Sequence, residues 1–293
     1  MLRPADDVSG GAWIAPRLGP FGGWVGSVVP RGFAAYARVL HRVGDRRGTP
    51  VRWAGVAAAT GAVLHPTAQW WKLARRTHPW ANQPNLGYDE PGPDDRLAEG
   101  THGTRRGEPR EWPGGDPNQG HLDLEQLAAL VAVLRAVTGD DTITAGFWEG
   151  EDWVGVPLTV ARRRVPVAPR QRRLRAVPRQ LPSRAHTGPD LLDAPVLELP
   201  GRRHLLLTGT LDDVVALAGA TTISGRPVPG GRTPSLLWSD NRSWYVATEV
   251  DFDSTLVGGP HRLIEALLAD DTLEAFEVSE TDSLMIDGDQ VNP

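Results

Sequence analysis

The chain has 293 residues, 40% hydrophobic and 23% charged, with a formal net charge of −5. That balance excludes a disordered or fibrous protein, leaves room for a sizeable core in one large or two smaller domains, and gives no global argument for nucleic-acid binding. With 0 cysteines, disulfides, thiol catalysis and cysteine-ligated zinc are excluded, and no run approaches the ~18 apolar residues of a membrane span, so a cytoplasmic chain is expected.

The opening MLRPADDVSGGAWIAP carries early acids and no apolar h-region, which argues against a signal peptide, and residues 1–19 read as a flexible leader. Trp24–Val29 and Phe33–His41 are β-prone runs about Pro30-Arg31-Gly32, although the second also fits a short helix. Pro50 opens a helical stretch with Trp53, Val56 and Ala57 at i, i+3, i+4 and Gly61 as its C-cap. A second short helix follows Pro66, through Trp70, Trp71 and Leu73. Residues 79–120 are rich in Pro, Gly and Asp and read as a long surface loop. His121–Thr138 is a helix with Leu124, Leu127, Ala128, Val131 and Leu134 as its stripe and Gly139 as its stop, and Ile143–Glu149 is a strand. Residues 20–156 therefore make a mixed α+β region.

Residues 157–194 form an Arg/Pro-rich linker or excursion that cannot bury a core. Arg162, Arg163, Arg164, Arg170, Arg172, Arg173 and Arg175 lead its run of basic residues, which extends to Arg184. They are candidate contacts for a polyanion such as nucleic acid, with salt-dependent affinity. No aromatics are interleaved for base stacking, and a solvated linker is the competing reading.

Residues 195–293 carry the clearest periodicity. Arg203–Gly209 reads as a strand, Thr210 and Asp213 open a helix that ends at Gly219, and a hairpin follows. Gly259–Asp270 is a helix and Leu273–Val278 a strand, while the tail SLMIDGDQVNP is either an edge strand or frayed. The order βαββαβ predicts a ferredoxin-like half, within an overall α+β class. In the hairpin, Asp240-Asn241 is the two-residue turn, placing Leu237 opposite Trp244 and Leu236 opposite Tyr245. Trp244, Val246, Val250 and Phe252 alternate towards the helices; Glu249, Asp251 and Asp253 point to the other side.

Those three carboxylates are the sharpest chemical feature. Alternate side chains on a strand start about 6–7 Å apart, close enough to share Mg²⁺ or Ca²⁺ or to raise one carboxyl into general-base range. A hydrated face, or partners for arginines from elsewhere, is the simpler reading. Leu236, Trp238 and Tyr245 continue the same face towards the turn and mark a candidate binding face, or one covered by the rest of the chain. Ser254 and His261 resemble a nucleophile and base, but no G-x-S-x-G elbow accompanies them, and a turn or cap role is the simpler reading. His41, His65, His78 and His121 fall outside any metal-binding spacing, and no cofactor is indicated.

VVPRGFAAYARVLH, PVRWAGVAAATG, FWEG and above all SWYVATEVDFDSTLVGG resemble a family of uncharacterised actinobacterial proteins. The resemblance spans most of 20–156 and 196–293, implies a soluble bacterial protein, and transfers no site. The function expected is a non-catalytic cytoplasmic binding or interaction protein, with a protein partner or a second copy of itself. A metal-dependent hydrolase using the carboxylate strip is the alternative, and polyanion binding through 162–184 a further one.

Overall fold

A computed structural model describes residues 1–76, 111–139, 141–150, 194–220, 233–285 and 287–293, and the backbone of 222–223 and 226–227. Most of the 79–120 loop lies outside the described residues, as do Arg162, Arg163, Arg164, Arg170, Arg172, Arg173 and Arg175.

The elements run β1 (Arg3–Pro4), α1 (Val25–Val28), β2 (Ala35–Leu40), β3 (Val43–Gly44), β4 (Pro50–Val51), α2 (Trp53–Thr60) and α3 (Trp70–Leu73). Next come α4 (Leu124–Thr138), β5 (Ile143–Trp148), β6 (Val196–Leu199), β7 (Arg202–Gly209), α5 (Leu211–Ala218), β8 (Thr222–Ile223) and β9 (Arg226–Pro227). The chain closes with β10 (Leu236–Ser239), β11 (Tyr245–Ala247), β12 (Ser254–Gly259), α6 (His261–Ala269) and β13 (Ala275–Val278). Nine strands make one sheet in the order β1-β7-β5-β10-β11-β12-β2-β13, with β6 also on β7; β3–β4 and β8–β9 are separate ribbons. Every pairing in the large sheet is antiparallel.

The α+β class is therefore as expected, but the self-contained ferredoxin-like half is not what the pairing shows. β5 enters between β7 and β10, and β13 pairs with β2 rather than with a neighbour from its own half. The reason is visible in burial. All six residues of β2 are buried, as are the first five of β5, so neither run has a solvent face. Strands of that kind take partners on both edges and layers on both sides.

One face packs under α4, α5 and α6. Leu127, Leu130, Leu134, Leu211, Val214, Leu263 and Leu267 meet Val39, Ile143, Phe147, Leu207, Trp244 and Val246 in the largest core cluster. The α4 stripe is rotated from the expected one: Leu124 is exposed at 42% and Leu130 is fully buried. Leu127, Val131 and Leu134 are buried as expected, and Gln126, one turn before Leu130, shares the buried side. It is buried, donates to the Leu40 carbonyl (2.8 Å) and accepts from the Arg42 N–H (3.1 Å), fixing which side of α4 meets the end of β2. The expected Thr210/Asp213 motif forms as a reciprocal capping box at the start of α5.

The second face is covered by the N-terminal segment. Ile14, Val25 and Val29, with Trp13 and Phe33 packed against them, close over Leu206, Leu236, Trp238, Tyr245 and Leu256. Residues 1–19, expected to be a loose leader, thus include a fully buried Ile14. The run at Trp24–Val29 forms the short helix α1 instead of a strand. A third cluster of Leu40, Trp53, Val56, Trp70, Leu73 and Trp112 packs α2 and α3 beyond the end of β2. Gly61 ends α2 at φ 74°, as its C-cap position requires. The tail is neither an edge strand nor frayed: Leu284, Asp289 and Asn292 are buried.

At Gly258 the covering segment packs directly on the sheet backbone. A Cβ there would lie 2.5 Å from the Phe33 ring and 2.9 Å from Val29. Gly258→Ala should therefore cost about 1–3 kcal/mol, read from urea denaturation, and speed proteolysis within residues 13–33.

Candidate functional site

The acidic stretch is not one strand. β11 stops at Ala247, and the Phe252 N–H donates to the Glu249 carbonyl (2.9 Å) across a turn before β12 starts at Ser254. The turn carries Phe252 away from the helix layer, to pack beside the residues under the N-terminal segment. It also divides the carboxylates. Glu249 and Asp251 meet on Arg202, whereas Asp253 turns to Arg38.

Arg202, at the start of β7, donates through Nε (3.0 Å) and Nη2 (2.7 Å) to Glu249 Oε1, and through Nη2 to Asp251 Oδ2 (2.8 Å). Its guanidinium carbon lies 5.4 Å from the Phe21 ring centroid and 5.6 Å from that of Trp148. Ion pairing and two aromatic contacts together hold this side chain in one place. Glu249 is pushed above the usual carboxylate range by burial, Arg202 acting in the opposite direction and Asp251 adding to the rise.

Beside this cluster is a cavity of about 30 Å³, room for a water or two, lined by Phe21, Val28, Arg202, His204, Ser235 and Glu249 among others. His204 projects on the same sheet face as Leu206 and is 4% exposed. Its Nδ1 is buried and has no hydrogen-bond partner among the described residues. Burial, with the positive charge of Arg202, holds its pKa down to about 4. A neutral imidazole with an unused nitrogen at a cavity wall is equipped to hydrogen-bond a guest.

Arg38 forms the second polar centre. It is 1% exposed and donates to Ser254 Oγ (2.9 Å), Asp253 Oδ1 (3.1 Å) and the carbonyls of Pro66 (3.0 Å) and Ala68 (2.8 Å), and it lies over Trp53 at 5.5 Å. Burial pushes the Asp253 carboxyl upward, and Arg38 opposes the shift. On the helix-side parity, His41 Nδ1 lies 2.6 Å from the Asn118 carbonyl and Nε2 lies 2.9 Å from Thr255 Oγ1, which is 2.7 Å from Thr248 Oγ1. A carbonyl only accepts, so His41 carries its proton on Nδ1. Thr255 then donates to Nε2, and Thr248 donates to Thr255. Thr255 is fully buried, so this hydroxyl–imidazole pair has no substrate access and acts as a structural relay of hydrogen bonds.

Leu236, Trp238 and Tyr245, read as a candidate binding face or one covered by the rest of the chain, are 5%, 1% and 0% exposed beneath the N-terminal segment. The hairpin register is Trp238↔Tyr245 and Leu237↔Val246, two residues from the expected pairing, so each side chain keeps its face. Ser254 serves Arg38, and His261 stands exposed at the start of α6, on the helix side of the sheet. Among the described residues there is no group of three or more His, Asp or Glu able to hold a metal ion, and no helix long and apolar enough to cross a membrane.

Arg38, Arg202 and His204 went unnoticed in the sequence reading. Arg38 had a signal: a lone charge inside the otherwise apolar AYARVL demands a buried acceptor set. His204 had a weaker one, its parity with Leu206. Arg202 had none, because its partners lie 47 and 49 residues away. Comparison with models of known protein families, with curated proteins and with solved structures finds no match.

Two outcomes follow from these charges. Arg38→Met should destabilise the fold by about 3–5 kcal/mol in urea, because Asp253 and two carbonyls lose a buried donor. His41 is also held at about 4 by burial, so both it and His204 are neutral in the fold at a pH where the unfolded chain binds protons. Folded pKa values below the ordinary 6.5 mean that stability is complete above pH 6.5 and declines as the pH falls from there towards 4. Denaturation at pH 7 and pH 5 should differ by roughly 2 kcal/mol per histidine, and His204→Gln should remove about half of the difference.

Proposed function

We propose that this is a non-catalytic, cytoplasmic interaction protein that presents the FGGW loop and the Arg202 cluster to a polypeptide partner. The observation that carries this reading is the exposure of Phe21, 56%, against an arginine that also lies over Trp148, with Trp24, 46% exposed, in the same loop. Aromatic and arginine side chains dominate binding energy at protein interfaces, and immobilising Arg202 beforehand lowers the entropy lost on association. The small cavity behind, with His204 on its wall, gives the surface a polar recess for one inserted side chain.

A metal-dependent hydrolase has less support. Glu249 and Asp251 are engaged by one arginine and Asp253 by another, so a cation would have to displace guanidinium groups.

A photo-crosslinking amino acid placed at position 21 in the producing cells should trap a discrete protein adduct. The same probe at Val63, 54% exposed elsewhere on the surface, should not. An adduct of twice the chain mass would identify a second copy as the partner. No adduct from position 21, or the same set from both positions, would overturn the reading.

A further inference from the structure

A larger cleft lies at the other end of the covered face. It encloses about 290 Å³ and is lined by Asp6, Asp7 and Gly10 of the N-terminal segment, Thr144 and Thr208 of the sheet, Trp238, and Asp240 and Arg242 of the β10–β11 turn, with Ala5 and Leu206 completing it. Its floor is one row of the sheet. Thr144 pairs directly with Thr208 on one side and with Trp238 on the other, so the three side chains share a face.

Two independent features distinguish it. The first is charge: three carboxylates line it against one guanidinium, an excess of two negative charges, with Arg3 flanking the Thr208 end of the row. Arg242 forms no ion pair with these acids; it lies over the Trp13 ring at 5.9 Å. The second is an unused floor. Thr144 is 5% exposed, and no described residue hydrogen-bonds its hydroxyl; the ring of Trp238, 1% exposed, is stacked on Tyr245 at 5.9 Å. Unlike the buried hydroxyl of Thr233, that of Thr144 keeps contact with solvent, so it opens on the cleft and can accept a hydrogen bond from a ligand there.

We propose that this cleft binds a small organic cation of the diamine class. One ammonium group would sit among Asp6, Asp7 and Asp240, the methylene chain would lie against Trp238 and Leu206, and the second amine would donate to the Thr144 hydroxyl. The volume suits a molecule of that size. A bare metal ion would leave the apolar wall and the floor unused, and a neutral diol would leave the carboxylates uncompensated.

Isothermal titration of the full chain with 1,4-diaminobutane, 1,4-butanediol and Mg²⁺ separates these cases. The diamine should bind saturably with one site, and the diol should not bind. Thr144→Val, which keeps the shape and removes the hydroxyl, should weaken the diamine about fivefold, and Asp240→Asn about tenfold. Asp271→Asn, an exposed acid elsewhere, should leave affinity unchanged and controls for general surface charge. Melting temperatures of all variants check that folding is retained, and Thr144→Val carries the test should Asp240→Asn prove unstable. No diamine binding, equal loss in Asp271→Asn, unaltered affinity in Thr144→Val, or Mg²⁺ binding with the same affinity would each overturn the proposal.

Discussion

The buried guanidinium of Arg38 is the constraint that organises this molecule. A charge at that depth is tolerable only when its donors meet acceptors, and the acceptors come from separate parts of the chain: Ser254 and Asp253 at the start of β12, and the Pro66 and Ala68 carbonyls before α3. One side chain therefore fixes the β2–β12 register and the approach of the 66–68 segment, and anchors Trp53 of α2 below it. The neighbouring carboxylate is unavailable for other chemistry because it completes this set.

The same logic separates the two ends of the covered face. At one end, Arg202 pairs with both Glu249 and Asp251, which leaves a single excess negative charge and exposed Phe21 against the guanidinium. At the other, Asp6, Asp7 and Asp240 outnumber Arg242, and the cleft stays acidic. Both ends exist only because residues 5–33 lie across the sheet, so the segment that buries Trp238 and Tyr245 also creates the recesses.

Much of the local structure was legible in the sequence. Gly61 and Gly139 stop α2 and α4, Thr210 and Asp213 cap α5, and the period-2 pattern puts Trp244 and Val246 under the helices. These signals are short-range, so neighbouring residues suffice to produce them. The hairpin register slipped by two residues because Arg242, at φ 57°, extends the turn beyond Asp240-Asn241; the period of two hid the error. The ferredoxin-like half failed for a longer-range reason. Which strand accepts β7 or β13 depends on β5 and β2, whose two-sided burial reads in sequence as an apolar run compatible with helix or strand. The carboxylate strip failed with the turn at Glu249–Phe252, a break that no glycine or proline announces. The anchoring of the leader was unreadable because its polar and glycine-rich composition conceals the few residues, such as Leu2 and Ile14, that are buried.

The strand order has a consequence for how the chain reaches this state. β2 is made early, yet its two neighbours, β12 and β13, lie more than 200 residues later in the sequence. During synthesis the run AYARVL therefore waits with both edges unpaired, and Arg38 without Asp253 and Ser254, until nearly the whole chain has emerged. Closing so long a loop is slow, and an apolar strand with open edges is prone to intermolecular pairing in the meantime. The lone arginine that anchors the finished fold also serves the nascent one, because a charge in the middle of an exposed apolar strand discourages association with other chains.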